Sequence, residues 1–286
     1  MDFTVTKLTP TIGAEISGLD LRETLDHDTL AKVRKIWLDH VIVLFPQQNI
    51  DDEQQIAFSR RIGDLELINM ETLQMRGKPE IYRATNLNED DTLMAEDHPI
   101  MQTNRDNQRW HTDSSFKRTP AMASALHARI VPDCGGETEF ANATAAYDAL
   151  DNDTKTRIDD LVVVHNFFWS RRDAEEVDLT EAEKAAIPPV RHPLARLHPE
   201  TNRRAIYAGS HAEQIEGMSW DEGRELIDQL NDHATQEQFT YQHTWNVGDM
   251  ILWDNRAALH RGMAFDASNQ KRRLHRTTVA GIGPTL

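Results

Sequence analysis

Cysteine is nearly absent: Cys134 is the only one in 286 residues. No disulfide can therefore form within the chain, and a reducing compartment is expected. Positive charge is scarce beside negative, 31 Lys and Arg against 47 Asp and Glu, for a net charge of −16. That balance argues against nucleic acid and against an anionic membrane surface as partners. It leaves room for a small anionic organic substrate, because a local basic pocket can sit in an acidic protein. No apolar run approaches the ~18 residues of a membrane span. Met1-Asp2-Phe3-Thr4 has neither a basic start nor an apolar core, so no signal peptide is expected and the reading is a cytoplasmic protein. Glycine-rich phosphate loops are missing, which weakens nucleotide-binding alternatives. Internal repeats and low-complexity stretches are missing too, and a single domain over residues 1–286 is expected.

What is present is a sequence of many short strands with helices between them. Leu30, Val33, Ile36 and Trp37 fall at helical spacing and predict a helix over 26–40. Asp51 can cap a second helix over 51–61. Ser219-x-x-Glu222 is a capping box that opens a helix over 219–235, and two shorter helices are expected over 143–150 and 151–161. Val41 to Phe45 is a continuous apolar run ending at Pro46 and suits a buried strand. Further strands are expected over 80–84, 124–131, 162–168, 191–198, 204–209, 239–245, 249–253 and 273–280. Residues 86–107, rich in Asn, Asp and Glu, read as a long loop of the kind that serves as an active-site lid. Residues 171–186 read as a charged, solvated insert. The fold class is mainly β with flanking helices, an antiparallel jelly roll.

The chemistry centres on Trp110-His111-Thr112-Asp113-Ser114-Ser115-Phe116. Side chains alternate along an extended segment, so His111 and Asp113 share a face and can grip one metal ion. Taken alone, such a pair equally describes two hydrogen-bonded residues on a strand. Three further features change the weighting: a distal histidine, His260, after a strand-like run; an Arg-rich stretch beyond it; and a Gly-Gly-x-Thr turn at 135–138. Two histidines and a carboxylate form the facial triad of non-haem Fe(II) oxygenases, which leaves coordination positions open. Fe(II) needs a source of electrons to reduce O2, and a 2-oxo acid supplies them. Its distal carboxylate calls for a fork-shaped cation. Arg276 is expected at that distal carboxylate, Arg272 near the carboxylate beside the keto group, and Thr138 can add a hydroxyl hydrogen bond. The same triad also suits a zinc hydrolase, and a non-catalytic jelly-roll binding protein is the third class.

Gly13-Ala14-Glu15-Ile16, Gln55-Ile56-Ala57-Phe58-Ser59-Arg60, Trp110-His111-Thr112-Asp113, Gly135-Gly136-Glu137-Thr138 and Trp253-Asp254-Asn255-Arg256 together resemble the taurine dioxygenase and 2,4-dichlorophenoxyacetate dioxygenase family. The resemblance runs over almost the whole chain. It implies the double-stranded β-helix, the clavaminate synthase-like jelly roll, with His111, Asp113 and His260 as iron ligands and Thr138, Arg272 and Arg276 holding 2-oxoglutarate. Trp245-Asn246-Val247-Gly248-Asp249 and Leu259-His260-Arg261-Gly262 place it nearer the phenoxyacetate branch. The implied reaction hydroxylates an aryloxyalkanoate such as 2,4-dichlorophenoxyacetate, giving a phenol, glyoxylate, succinate and CO2, a step in aromatic-compound breakdown. Dioxygenation of taurine, another alkylsulfonate or an alkyl sulfate is the alternative within the family. Asn107 matches a family position that touches the substrate's acidic group, and Ser114 lies beside the metal ligands. A homo-oligomer is implied as well.

Overall fold

A computed structural model of the chain describes residues 2–68, 74–172 and 185–286. An eight-stranded sheet forms the larger wall. Its spatial order is Thr4–Lys7, Ala14–Ser17, Ile42–Phe45, Met250–Asp254, Ala123–Ile130, Arg273–Val279, Lys78–Thr85 and Gln74–Met75. All neighbours are antiparallel except Ala14–Ser17 with Ile42–Phe45. The opposite wall includes Thr240–His243, Thr138–Asn142 and Ala258–Gly262, and a further three-stranded sheet joins Ala212–Ile215, Val162–His165 and Val190–Pro193. The facing antiparallel walls make a jelly roll, and the expected fold class stands.

Period-two alternation sorts the large sheet's two faces. On Met250–Asp254, Met250 and Leu252 pack outward with Val33 and Trp37 of the helix His27–His40 and Phe58 of the helix Asp52–Arg60. Ile251 and Trp253 point inward with Leu126, Phe140 and Leu274. The Trp253 and Phe140 rings lie 5.5 Å apart. Each such ring, fully buried, contributes about 2–3 kcal/mol. A third cluster seats Leu226, Ile227 and Leu230 of the helix Trp220–Ala234 against Ile206 and Leu259. That cluster braces the outer side of the strand carrying His260.

The capped helices form as expected. Asp26 accepts from Thr29 N, Asp51 and Gln54 close a capping box, and Ser219 and Glu222 close another. Three expectations change. Within the expected loop, Pro99–Asp106 is a helix capped by His98. Proline breaks helices in their interior but suits the first position, where no N–H is needed. The strand expected over 191–198 is broken at Leu194, whose carbonyl accepts from Tyr207 N. Ala212–Ile215 is a strand that no pattern marked. Most of the charged insert lies outside the described residues, but Arg171 within it is not solvated, as shown below.

Candidate active site

His111 meets His260 through an isolated antiparallel bridge. His111 N donates to His260 O at 3.0 Å and His260 N donates to His111 O at 2.8 Å. Directly opposed residues project to one side of a sheet, and the two imidazole centroids are 4.2 Å apart. Gly209 makes this approach possible. Its φ is +95°, and a Cβ there would stand 3.1 Å from Trp110 O and 3.2 Å from His111 Cα. Asp113 does not continue as strand: the chain turns after it, with Ser114 at φ 55°. The carboxylate still reaches the histidines, and Asp113 Oδ2 lies 3.8 Å from His260 Nε2. One ligand atom from each of His111, Asp113 and His260 falls within 4.8 Å of the others, all three residues buried.

The surroundings fix protonation. His111 Nδ1 lies 2.7 Å from Arg109 O, so that nitrogen carries the proton and Nε2 keeps its lone pair. Burial lowers the pKa of His111, and burial followed by the neighbouring His111 takes His260 well below the ordinary value. His260 Nδ1 is buried without a hydrogen-bond partner. Burial by itself would raise the Asp113 carboxyl, but the charge of Arg276 above all holds it well below the usual carboxylate range. Two neutral imidazoles beside an ionised carboxylate are the states that metal ligation requires.

Asp113 is held on both oxygens. Ser124 Oγ donates to Oδ2 at 2.6 Å and Arg276 Nη1 donates to Oδ1 at 2.5 Å. Asn255 ties the frame together: its amide donates to Ser124 Oγ, while its carbonyl oxygen accepts from Asp113 N and Trp253 Nε1. Asp254, paired with Arg256 and His198, anchors the turn leading to the His260 strand. Sequence reasoning missed Ser124, near the start of the strand Ala123–Ile130. It matched Asn255 only as part of a motif.

The two arginines sit in the reverse of the expected order. In the sheet register Arg276 is opposite Tyr82 and Leu126, and Thr278 is opposite Ser124. This brings Arg276 to the triad, over the Tyr82 ring at 4.4 Å. Arg272 lies four residues back, roughly 13 Å along a strand. Its Nε donates to Gly136 O at 3.1 Å. The double glycine explains that seat: Gly136 has φ +71°, and a Cβ there would meet Arg272 Cδ at 3.1 Å. Alternation predicts a shared face but not depth, which is why the order was not legible.

Two cavities adjoin at Tyr82, Asn107, His111 and Arg276. The smaller, about 80 Å³, runs from the triad to Thr138 and Arg272. The larger, about 550 Å³, is lined by Phe116, Phe167, Ile68, Ile187 and Val190 among others. Asn107 lines both, its amide 3.4 Å from Tyr82 Oη. Ser114 lines the larger and donates to Glu66. His211, pushed down to about 3 by burial, also faces the larger cavity. So do Asp106 of the unexpected helix and Arg171.

A jelly roll with a buried His-Asp-His cluster and two arginines beside it defines a class of metal-dependent oxygenases. The chain belongs to the taurine catabolism dioxygenase TauD, TfdA family, whose pattern matches residues 4–278. It is 38% identical over 282 residues to an alpha-ketoglutarate-dependent 2,4-dichlorophenoxyacetate dioxygenase of Cupriavidus pinatubonensis, covering 98% of each chain. It is 34% identical to an (S)-phenoxypropionate/alpha-ketoglutarate-dioxygenase of Sphingobium herbicidovorans, covering 98% of this chain and 95% of the relative. Among solved structures, that of AAD-2 in complex with Mn(II) and N-oxalylglycine superposes with a TM-score of 0.92 at 40% identity, covering 100% of this chain and 99% of the other.

Proposed function

We infer that the protein is an Fe(II)- and 2-oxoglutarate-dependent dioxygenase that hydroxylates a small organic acid of the aryloxyalkanoate class. The single observation that carries this reading is the buried His111, Asp113 and His260 cluster at the junction of two cavities, with Arg276 on its carboxylate. The donor set fits a ferrous ion: two neutral imidazoles and one carboxylate, all buried and within 4.8 Å of one another. In this reading those three residues hold the iron. Thr138 and Arg272 take the distal carboxylate of 2-oxoglutarate at the far end of the smaller cavity, and Arg276 lies near the carboxylate beside the keto group. Asn107 and Ser114 face the substrate.

Iron, 2-oxoglutarate and O2 together supply the oxidising equivalent when bound, the oxo acid leaving as succinate and CO2. The chain's residues position and exclude. Ser124 and Asn255 orient Asp113. Arg109 O fixes the His111 tautomer. The apolar wall of Phe116, Phe167 and Ile187 displaces water from the substrate's body. Hydroxylation at a carbon bearing an ether oxygen gives a hemiacetal, which collapses to a phenol and glyoxylate. The names of the relatives favour this substrate class over sulfonates and sulfate esters, although a relative from Pseudomonas putida, 29% identical, is named as a sulfate ester dioxygenase. The zinc-hydrolase alternative gives the Thr138 and Arg272 pair no role.

A turnover screen tests the reading. With Fe(II), 2-oxoglutarate and O2, succinate and phenol should appear with aryloxyalkanoates and not with alkylsulfonates. Unchanged succinate formation by His111→Ala would count against the metal assignment. A single domain, a homo-oligomer and a cytoplasmic setting complete the proposal, and light scattering checks the assembly. Among the described residues no helix is long and apolar enough to cross a membrane.

A further inference from the structure

We propose that Arg171 is the specificity-determining residue that recognises the substrate's carboxylate in the larger cavity, and that Asp106 is its resting counter-ion. The inference rests on the dioxygenase reading and goes beyond it to the group that the substrate must carry. Arg171 ends the 3-10 turn Trp169–Arg171, which follows the strand Val162–His165. Its sequence neighbours are charged, yet its side chain is only 24% exposed. The guanidinium stacks on Phe167 at 3.8 Å from the ring centroid, which fixes the plane of the fork and leaves its edge for hydrogen bonding.

The edge is poorly used. Arg171 makes one long hydrogen bond, to Ser170 Oγ at 3.5 Å. Its ion pair with Asp106 Oδ2 is also 3.5 Å, well beyond the ~2.7–2.9 Å of a charge-assisted hydrogen bond. Asp106 Oδ2 is buried with no hydrogen-bond partner. A guanidinium and a carboxylate oxygen without a hydrogen bond thus face one another at 3.5 Å in the cavity wall, while Asp106 Oδ1 accepts from Gln102. Leaving such groups unmatched is costly, and a second carboxylate at Arg171 relieves the cation.

Arg276, Lys117 and Arg118 also line the cavity. Arg276 donates from Nη1 to Asp113 at 2.5 Å, its Nε is buried without a hydrogen-bond partner, and in the reading above it faces 2-oxoglutarate. Lys117 donates to Glu66 at 2.6 Å. Arg118 is exposed. A ligand with a carboxylate on Arg171 can lay an apolar body against Phe116 and Ile187 in the cavity that His111 and Asp113 also line. The ligand class is a small monocarboxylic acid with an apolar or aromatic body.

Binding without turnover tests this. Phenoxyacetate and its neutral analogue phenoxyacetamide are titrated by anaerobic calorimetry into protein loaded with Mn(II) and 2-oxoglutarate. Arg171→Met should weaken phenoxyacetate by on the order of 10- to 100-fold and phenoxyacetamide by no more than about threefold. Arg171→Lys should fall between, keeping the charge and losing the fork. Asp106→Asn should tighten phenoxyacetate by a factor of a few. Equal weakening of both ligands, unchanged phenoxyacetate affinity in Arg171→Met, or no phenoxyacetate binding by the wild type would overturn the Arg171 assignment. No tightening in Asp106→Asn would overturn the counter-ion role. Succinate formation with Fe(II) is measured separately, and its absence would overturn the dioxygenase reading without touching the binding result.

Discussion

The two sides of the site are built differently. On the metal side, His111 and His260 are paired across an isolated bridge, and Asp113 is gripped by Ser124 and Arg276. Hydrogen bonds there are short, and strands bring the groups together. On the larger cavity's side, the polar groups come from a helix, a 3-10 turn and loops, and the Asp106–Arg171 pair is held at 3.5 Å. The contrast fits a division of labour. A metal ion needs ligands fixed before it arrives, whereas a recognition site gains from donors that wait for an anion. Tyr82 stands where the two meet, lining both cavities with Arg276 over its ring.

The sharpest way to break this comparison is at the carboxylate. Asp113→Ala should reduce succinate formation by about 1,000-fold or more, because it removes a ligand and leaves Arg276 unpaired beside two histidines. Next come the residues that only orient. Ser124→Ala or Asn255→Ala should cost about 10- to 100-fold in Fe(II) affinity, measured by anaerobic titration. Arg272→Met should raise the KM for 2-oxoglutarate by on the order of 10-fold or more while leaving phenoxyacetate affinity within about threefold. If the two cavities were one undivided site, both constants would move together.

The smallest effect concerns the wall that carries Ser124. His127, on the same strand, lies with Nε2 2.8 Å from Gln48 O and Nδ1 buried without a partner. Burial, with Arg129 nearby, pushes its pKa down to about 4. Between pH 6.5 and pH 4 the unfolded chain therefore binds a proton that the native chain refuses. Stability should fall as pH drops through that window, by at most about 1.4 kcal/mol per unit from this residue, and level off below it. Unfolding midpoints of the wild type and His127→Gln across pH 4–7 measure the contribution, the variant showing the shallower slope.

How much was legible follows the same divide. Caps such as Asp51 and Ser219 act within one turn of chain, so local sequence reveals them. The cluster was legible because His111 and Asp113 are two residues apart and His260 follows a strand-like run. Arg272, Arg276 and Thr138 do line the smaller cavity, but which arginine stands beside the triad was not legible, since that depends on register against Ser124. Arg171 was hidden: the acidic and basic residues after it resemble a solvated face, and its burial comes from Phe167 and from Asp106 far away in sequence. The helix bearing Asp106 was hidden as well, because Pro99 reads as a breaker unless His98 is known to cap it.

The most direct measurement is anaerobic calorimetric titration of metal-free protein with Fe(II), repeated after 2-oxoglutarate is added. One ferrous ion should bind per chain, 2-oxoglutarate should bind tightly only to the iron-loaded form, and Asp113→Ala and His260→Ala should each abolish the Fe(II) isotherm. Fe(II) binding of equal strength in Asp113→Ala, His260→Ala and the wild type would contradict convergence of those side chains on one metal.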